Sequence, residues 1–138
     1  RQVLDNGRAL ELFAQSVSRM GGDPAVAEKP VQVLPQASFV RPVHAPFEGT
    51  LTAYDVRQVG MAVVELGGGR TCPDASIDPS VGLTQLPLVG QTFSRGDALL
   101  TIHAPSERAW QVAQKRLVDA MTFDGEVKSP DVVVEHVG

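Results

Sequence analysis

Gly67-Gly68-Gly69-Arg70 ends a stretch that is otherwise patterned as a helix, and it is the tightest local constraint on the chain. Upstream of it, Val56, Val59, Val63 and Leu66 recur at three- and four-residue spacing, which lines one helix face. Asp55 stands where an N-cap belongs. Three successive glycines cannot prolong that helix without a large loss of backbone entropy. A glycine-rich loop cradles phosphate when it leads into a helix, because free N–H groups and the positive dipole end then face the anion. Here the glycines follow the helix, whose C-terminal end presents carbonyls. The expectation is a glycine cap with Gly68 or Gly69 at positive φ, Arg70 complementing the dipole, and no anion site. Small Gly60 and Ala62 within the stripe predict close approach of another backbone.

Around this stop the chain alternates between helix and strand texture. Leu10, Phe13, Val17 and Met20 make an apolar stripe, predicting a helix from about Arg8 to Met20 that ends at Gly21-Gly22. Asp23-Pro24 reads as an N-cap with Pro at the first helical position, opening a short helix to about Lys29. Pro30 and Pro35 bracket a segment expected to be extended. "SFVRPVHA" and "GTLTAYD" predict two strands joined by a turn at "PFEG". Residues 70–80 read as an exposed loop, and residues 81–105 as short strands, the clearest from Ala98 to His103. Ser106 caps a predicted helix to about Phe123, with Trp110, Ala113, Leu117 and Met121 on one face and Gly125 closing it. "DVVVEHV" is a terminal strand candidate. "VHAP" at 43–46 is echoed by "IHAP" at 102–105. This mixture favours an α+β fold over a doubly wound parallel sheet.

Composition excludes several classes. With 43% hydrophobic and 20% charged residues in 138, the chain can build a core and is not a disordered polyampholyte. A net charge of -4 gives no electrostatic footprint for nucleic acid. No segment approaches the roughly 20 apolar residues of a membrane span. The single Cys72 has no intrachain disulfide partner, which fits a reducing cytoplasm. The chain begins at Arg1 rather than Met, so a processed or trimmed chain is expected.

No catalytic constellation emerges. His44, His103, His136 and Cys72 lack the close spacing of zinc motifs, and the two His-Ala-Pro histidines read as matched strand ends. There is no G-x-S-x-G elbow. Asp74 and Asp78 read as loop polars, and Asp55 and Glu65 lie on or beside one helix without a partner that would suggest a raised pKa. Residue by residue, the chain reads as an accessory or binding domain.

"VLDNGRALELFAQSVSRMGG", "HAPFEGTLTAYDVRQVGMAVVELGGGR" and "IDPSVGLTQLPLVGQTFSRGDALLTIHA", in that order, resemble the C-terminal part of the pyrimidine-nucleoside phosphorylase family, in particular its thymidine-cleaving branch. The resemblance covers nearly the whole chain. It implies an α/β hammerhead, akin to the barrel-sandwich folds of biotinyl and lipoyl carriers, over residues 36–138. Residues 1–35 would be the last helices of a preceding α/β domain and the connection out of it. The implied activity is reversible phosphorolysis of thymidine to thymine and 2-deoxyribose 1-phosphate, with phosphate as co-substrate and no cofactor. The family's Lys-x-Ser-x-Gly-Gly phosphate segment and its base-binding Arg, Ser and Lys lie upstream of the matched portion. No catalytic, substrate-binding or metal residue is therefore transferred to this chain. Its implied partners are the upstream α and α/β domains, in an enzyme dimerised through its N-terminal helical domain, with no nucleic acid and no membrane. A relative acting on uridine or on nucleoside monophosphates stays open, because base choice is set upstream. Two other classes also stay open. A swinging-arm carrier needs a lysine at a hairpin tip, a context that Lys29, Lys115 and Lys128 lack. An independent interaction module is the other.

Overall fold

The computed structural model describes residues 2–127, and the chain divides into two compact units at Gln36/Ala37. The first unit is helical: α1 (Gln2–Asp5), α2 (Arg8–Arg19), a 3-10 turn (Pro24–Ala27) and α3 (Pro30–Val33). Asp23 caps the 3-10 turn as its sequence predicts, accepting the Ala25 N–H at 2.8 Å. The Pro30–Pro35 segment is not extended. Proline restrains the residue before it, and Lys29 is indeed non-helical (φ -130°, ψ 55°), but Pro30 itself starts α3 at the position where a missing N–H costs nothing. The α2 stripe forms, yet no residue of that helix is buried, and Leu10 and Phe13 are about half exposed.

The second unit is built on two small antiparallel sheets. β1 (Phe39–His44), β5 (Ala98–Ala104) and β3 (Gly82–Thr84) form one, in the order β1-β5-β3. β4 (Thr92–Phe93), β2 (Gly49–Tyr54) and β6 (Met121–Phe123) form the other, in the order β4-β2-β6. The two strands around "PFEG" exist, but they are not a hairpin: β1 pairs with β5 (Val43 opposite Leu100), and β2 pairs with β4 and β6 (Leu51 opposite Phe123). Two helices complete the unit, α4 (Val56–Val63) and α5 (Glu107–Asp119). The architecture is α+β.

Alternation along the strands explains the core. Leu100, Ile102 and Ala104 of β5 point inward together with Val43 of β1 and Leu51 of β2, and all are essentially without exposure. α5 contributes Ala113 and Leu117 from the predicted stripe, and Trp110 packs edge-on against Phe39 with ring centroids 6.1 Å apart. Among the described residues, every buried side-chain nitrogen and oxygen has a hydrogen-bond partner. The one buried polar residue in this set, Thr52, donates to the Thr122 carbonyl at 3.1 Å.

Three further expectations need correction. α5 stops at Asp119, and Met121–Phe123 leave as β6, because the Ala120 carbonyl and the backbone beyond it bond to β2 and Asp55 instead of prolonging the helix. Val56 remains exposed, so the α4 stripe narrows to Val59, Ala62, Val63 and Leu66. Ala62 is fully buried, as close packing requires, whereas a Cβ placed on Gly60 would meet nothing within 4 Å. The strand candidate "DVVVEHV" lies outside the described residues.

Candidate functional site

Asp55 caps α4 by accepting the Gln58 N–H at 3.1 Å. The helix then widens into a single π turn, Val64–Gly68. Positive φ falls on Gly67 (105°), not on Gly68 or Gly69, and Gly69 is extended at φ -148°. The other two glycines answer to space. A Cβ on Gly68 would lie 2.8 Å from Val63 Cγ1 and 3.1 Å from the Val63 carbonyl oxygen; one on Gly69 would lie 2.7 Å from Val64 Cγ2. The turn thus folds back onto the last residues of its own helix. Its Gly67 carbonyl accepts the Asp78 N–H at 2.9 Å, fastening the 70–80 loop. Within that loop Asp78 Oδ1 accepts both the Ser80 hydroxyl (2.6 Å) and the Ser80 N–H (2.9 Å). These two bonds, the hydroxyl's first, hold the Asp78 carboxyl below the usual carboxylate range. Chemically the turn offers an acceptor and is a clasp between α4 and the loop.

The richest polar cluster lies between α4 and α5. The Arg116 guanidinium forks, one nitrogen donating to Gln58 Oε1 and the other to Glu65 Oε1 at 2.6 Å. It borders an open groove of about 510 Å³ whose lining includes Gln58, Gln111, Val112, Lys115 and Asp119. Nothing in the sequence singles out a partner for Glu65. That partner stands 51 residues on, and its one signal is position: Arg116 directly precedes the buried Leu117 on α5. With one nitrogen on Gln58 of α4 and another on Glu65 of the π turn, Arg116 ties α5 to α4 and to the turn that follows it, while also lining the groove.

The remaining candidates are dispersed. His44 Nδ1 lies 2.9 Å from the Gly96 carbonyl, and His103 Nε2 lies 3.0 Å from Thr84 Oγ1. Their strands are neighbours, but His44 stands opposite Ala98 and His103 opposite Val40. The repeated His-Ala-Pro is a matched strand end: Val43 and Ile102 are buried before the histidines, and Ala45 and Ala104 after them. Cys72 is exposed, and His136 lies outside the described residues. Among the described residues no three His, Cys, Asp or Glu side chains gather as metal donors. Asp74 sits in the exposed loop. Lys29 precedes α3 and Lys115 lies within α5, so neither tops a hairpin, and Lys128 is outside the described residues. Tyr54, which the sequence did not single out, donates its hydroxyl to the Pro87 carbonyl at 2.7 Å, and burial pushes its pKa up to about 12.

A family model for the pyrimidine nucleoside phosphorylase C-terminal domain matches residues 50–124. The matched span begins in β2 and runs through α4, the glycine turn, the loop it fastens, β3 to β5 and α5, ending just past β6.

Proposed function

The chain belongs to the pyrimidine nucleoside phosphorylase family through its C-terminal domain, and on that premise we propose that it is the structural C-terminal part of a thymidine-cleaving enzyme. The reaction is reversible transfer of a 2-deoxyribosyl group from thymine to phosphate, a step of pyrimidine salvage. Phosphate is its co-substrate, with no further cofactor. Residues 36–138 are an α/β hammerhead, and residues 1–35 are the closing helices of an upstream α/β domain. That domain and a helical domain before it hold phosphate and nucleoside, and the helical domain pairs two copies of the enzyme in the cytoplasm. Closing such a cleft positions the reactants and excludes water.

The match over residues 50–124 carries this reading. Two features of the described residues support an architectural role. Arg116 is committed to Gln58 and Glu65, and the glycine turn is occupied by its own helix and by Asp78. The exposed α2 stripe also suits a segment whose apolar cover comes from a further domain.

The chain alone is expected to release no thymine when incubated with thymidine and phosphate, because in-line attack on the anomeric carbon needs anion and base held in one preorganised cleft. An enzyme carrying this domain behind the upstream domains is expected to release thymine in proportion to phosphate, and faster than it releases uracil from uridine. Phosphate-dependent release that co-purifies with the isolated chain would overturn the architectural role. A uridine preference in the longer enzyme would overturn the choice of base.

A further inference from the structure

Asn6 is the single asparagine of the chain, and Gly7 follows it. The pair forms the corner between α1 and α2, where Asn6 is exposed and Gly7 takes φ 77°. Asn6 Oδ1 accepts the Arg8 N–H at 3.1 Å. The Gly7 N–H is held only by a long contact, 3.4 Å, to the Leu4 carbonyl.

We infer that Asn6 is a site of spontaneous deamidation. Hydroxide removes the Gly7 amide proton, and the nitrogen attacks Asn6 Cγ. The new N–Cγ bond closes a five-membered succinimide as the Cγ–Nδ2 bond breaks, and Nδ2 leaves as ammonia after taking a proton from water. A water molecule then opens the ring at either carbonyl, giving aspartate or isoaspartate. The sum is one water consumed and one ammonia released, with no oxidation or reduction.

Three features favour this step. The nucleophile is open: Gly7 has no Cβ, and the space where one would stand has no atom within 4 Å. Its N–H is loosely held, so losing the proton sacrifices little. The Arg8 N–H already donates to Oδ1, the oxygen on which negative charge develops during the attack, and a preplaced donor at that oxygen stabilises the transition state. Both reacting atoms, Asn6 Cγ and the Gly7 nitrogen, are members of the ring that this hydrogen bond closes.

The two products pull α2 in opposite directions. Aspartate turns a neutral amide into a carboxylate beside the first turn of α2, taking the formal charge from -4 to -5 and complementing the helix dipole. Isoaspartate inserts an extra backbone carbon ahead of the same turn and removes the side-chain acceptor of the Arg8 N–H.

The test is peptide mapping by mass spectrometry of the whole chain, held at mildly alkaline pH either folded or unfolded in urea, with fragmentation that separates aspartate from isoaspartate. With one asparagine present, an asparagine amide-to-acid mass change has a single source. Ring closure at Asp124-Gly125 loses and regains water and leaves the mass unaltered. The expected result is a folded-to-unfolded rate ratio of one or more at residue 6, a rate that rises in proportion to hydroxide, and no conversion at that position in Asn6→Gln. A folded chain that keeps the Asn6 amide while the unfolded chain loses it would overturn the inference.

Discussion

Arg116 of α5 bonds to Glu65 of the π turn at 2.6 Å, and each side chain keeps about a third of its surface in water. An ion pair this wet contributes little on its own, about 0.2–1 kcal/mol for exposed pairs. Its second branch, to Gln58, makes it a three-residue link. A double-mutant cycle with Glu65→Gln and Arg116→Met should return a coupling of about 0.5 kcal/mol that shrinks in high salt. Zero coupling at low salt would mean that solvent satisfies both groups equally well.

The glycine turn separates two kinds of cost. Gly67→Ala forces a side chain into positive φ and is expected to destabilise by about 1 kcal/mol or more. Gly68→Ala and Gly69→Ala press a methyl group against Val63 and Val64, with expected losses of about 1–3 kcal/mol from overpacking. Truncating the neighbour to Ala (Val63→Ala for Gly68, Val64→Ala for Gly69) should relieve the second kind in part, less for Gly68, whose methyl would still face the Val63 carbonyl oxygen at 3.1 Å, and leave Gly67→Ala unchanged. Denaturant midpoints read all of these. Relief of Gly67→Ala by either truncation would refute the division.

Tyr54 adds to the alkaline limb of stability. Its pKa rises on folding from 10.0 to about 12 through burial. Between these values the unfolded chain has released the proton and the folded chain still holds it, so stability falls as pH rises through the window. Below about pH 10 the contribution is complete. Tyr54→Phe should lose the slope that this group adds between pH 10 and 12. It should also cost about 0.5–1.5 kcal/mol at neutral pH for the bond to Pro87. Parallel alkaline limbs in the two proteins would show that the hydroxyl titrates as it does in water.

Amide exchange should grade the helices. α2 has no buried residue, whereas α4 holds Ala62 and α5 holds Ala113 and Leu117 at or near zero exposure. Amides in residues 8–20 should exchange faster than those in 106–119, because opening α2 exposes little apolar surface. Equal protection would show that α2 is covered in solution.

Local chemistry was readable in the sequence where one residue's side chain decides the outcome. Asp23, Asp55 and Ser106 cap the segments their spacing marks, and the stripe of α5 packs inward at Ala113 and Leu117. What stayed illegible depends on distant chain. Nothing near Phe39 or Leu51 says that the first pairs with Ala104 and the second with Phe123, so neighbouring strands looked like a hairpin. Met121 fits the α5 stripe and also a strand, and β2 decides between them. Of three adjacent glycines, Gly67 bends, while Gly68 and Gly69 stand where a side chain would press on Val63 and Val64, and nothing local in the sequence separates the two needs. The link from Glu65 to Arg116 has no sequence mark beyond charge and the place of Arg116 beside the buried Leu117. The polar groups were therefore visible one by one, and their partners were not.

The interleaved sheets also govern the order in which the chain can take shape during synthesis. β1 waits for β5, and β2 waits for β6; Thr52 reaches its acceptor at Thr122 only 70 residues later. Loop closure over such separations is entropically costly and makes folding slow relative to helical domains. β1 thus stays without its partner until residues 98–104 have left the ribosome, and β2 lacks its last one until residues 121–123 have. A nascent chain halted after α4 would carry Val43, Leu51 and Ala62 uncovered, a ready substrate for chaperones and proteases.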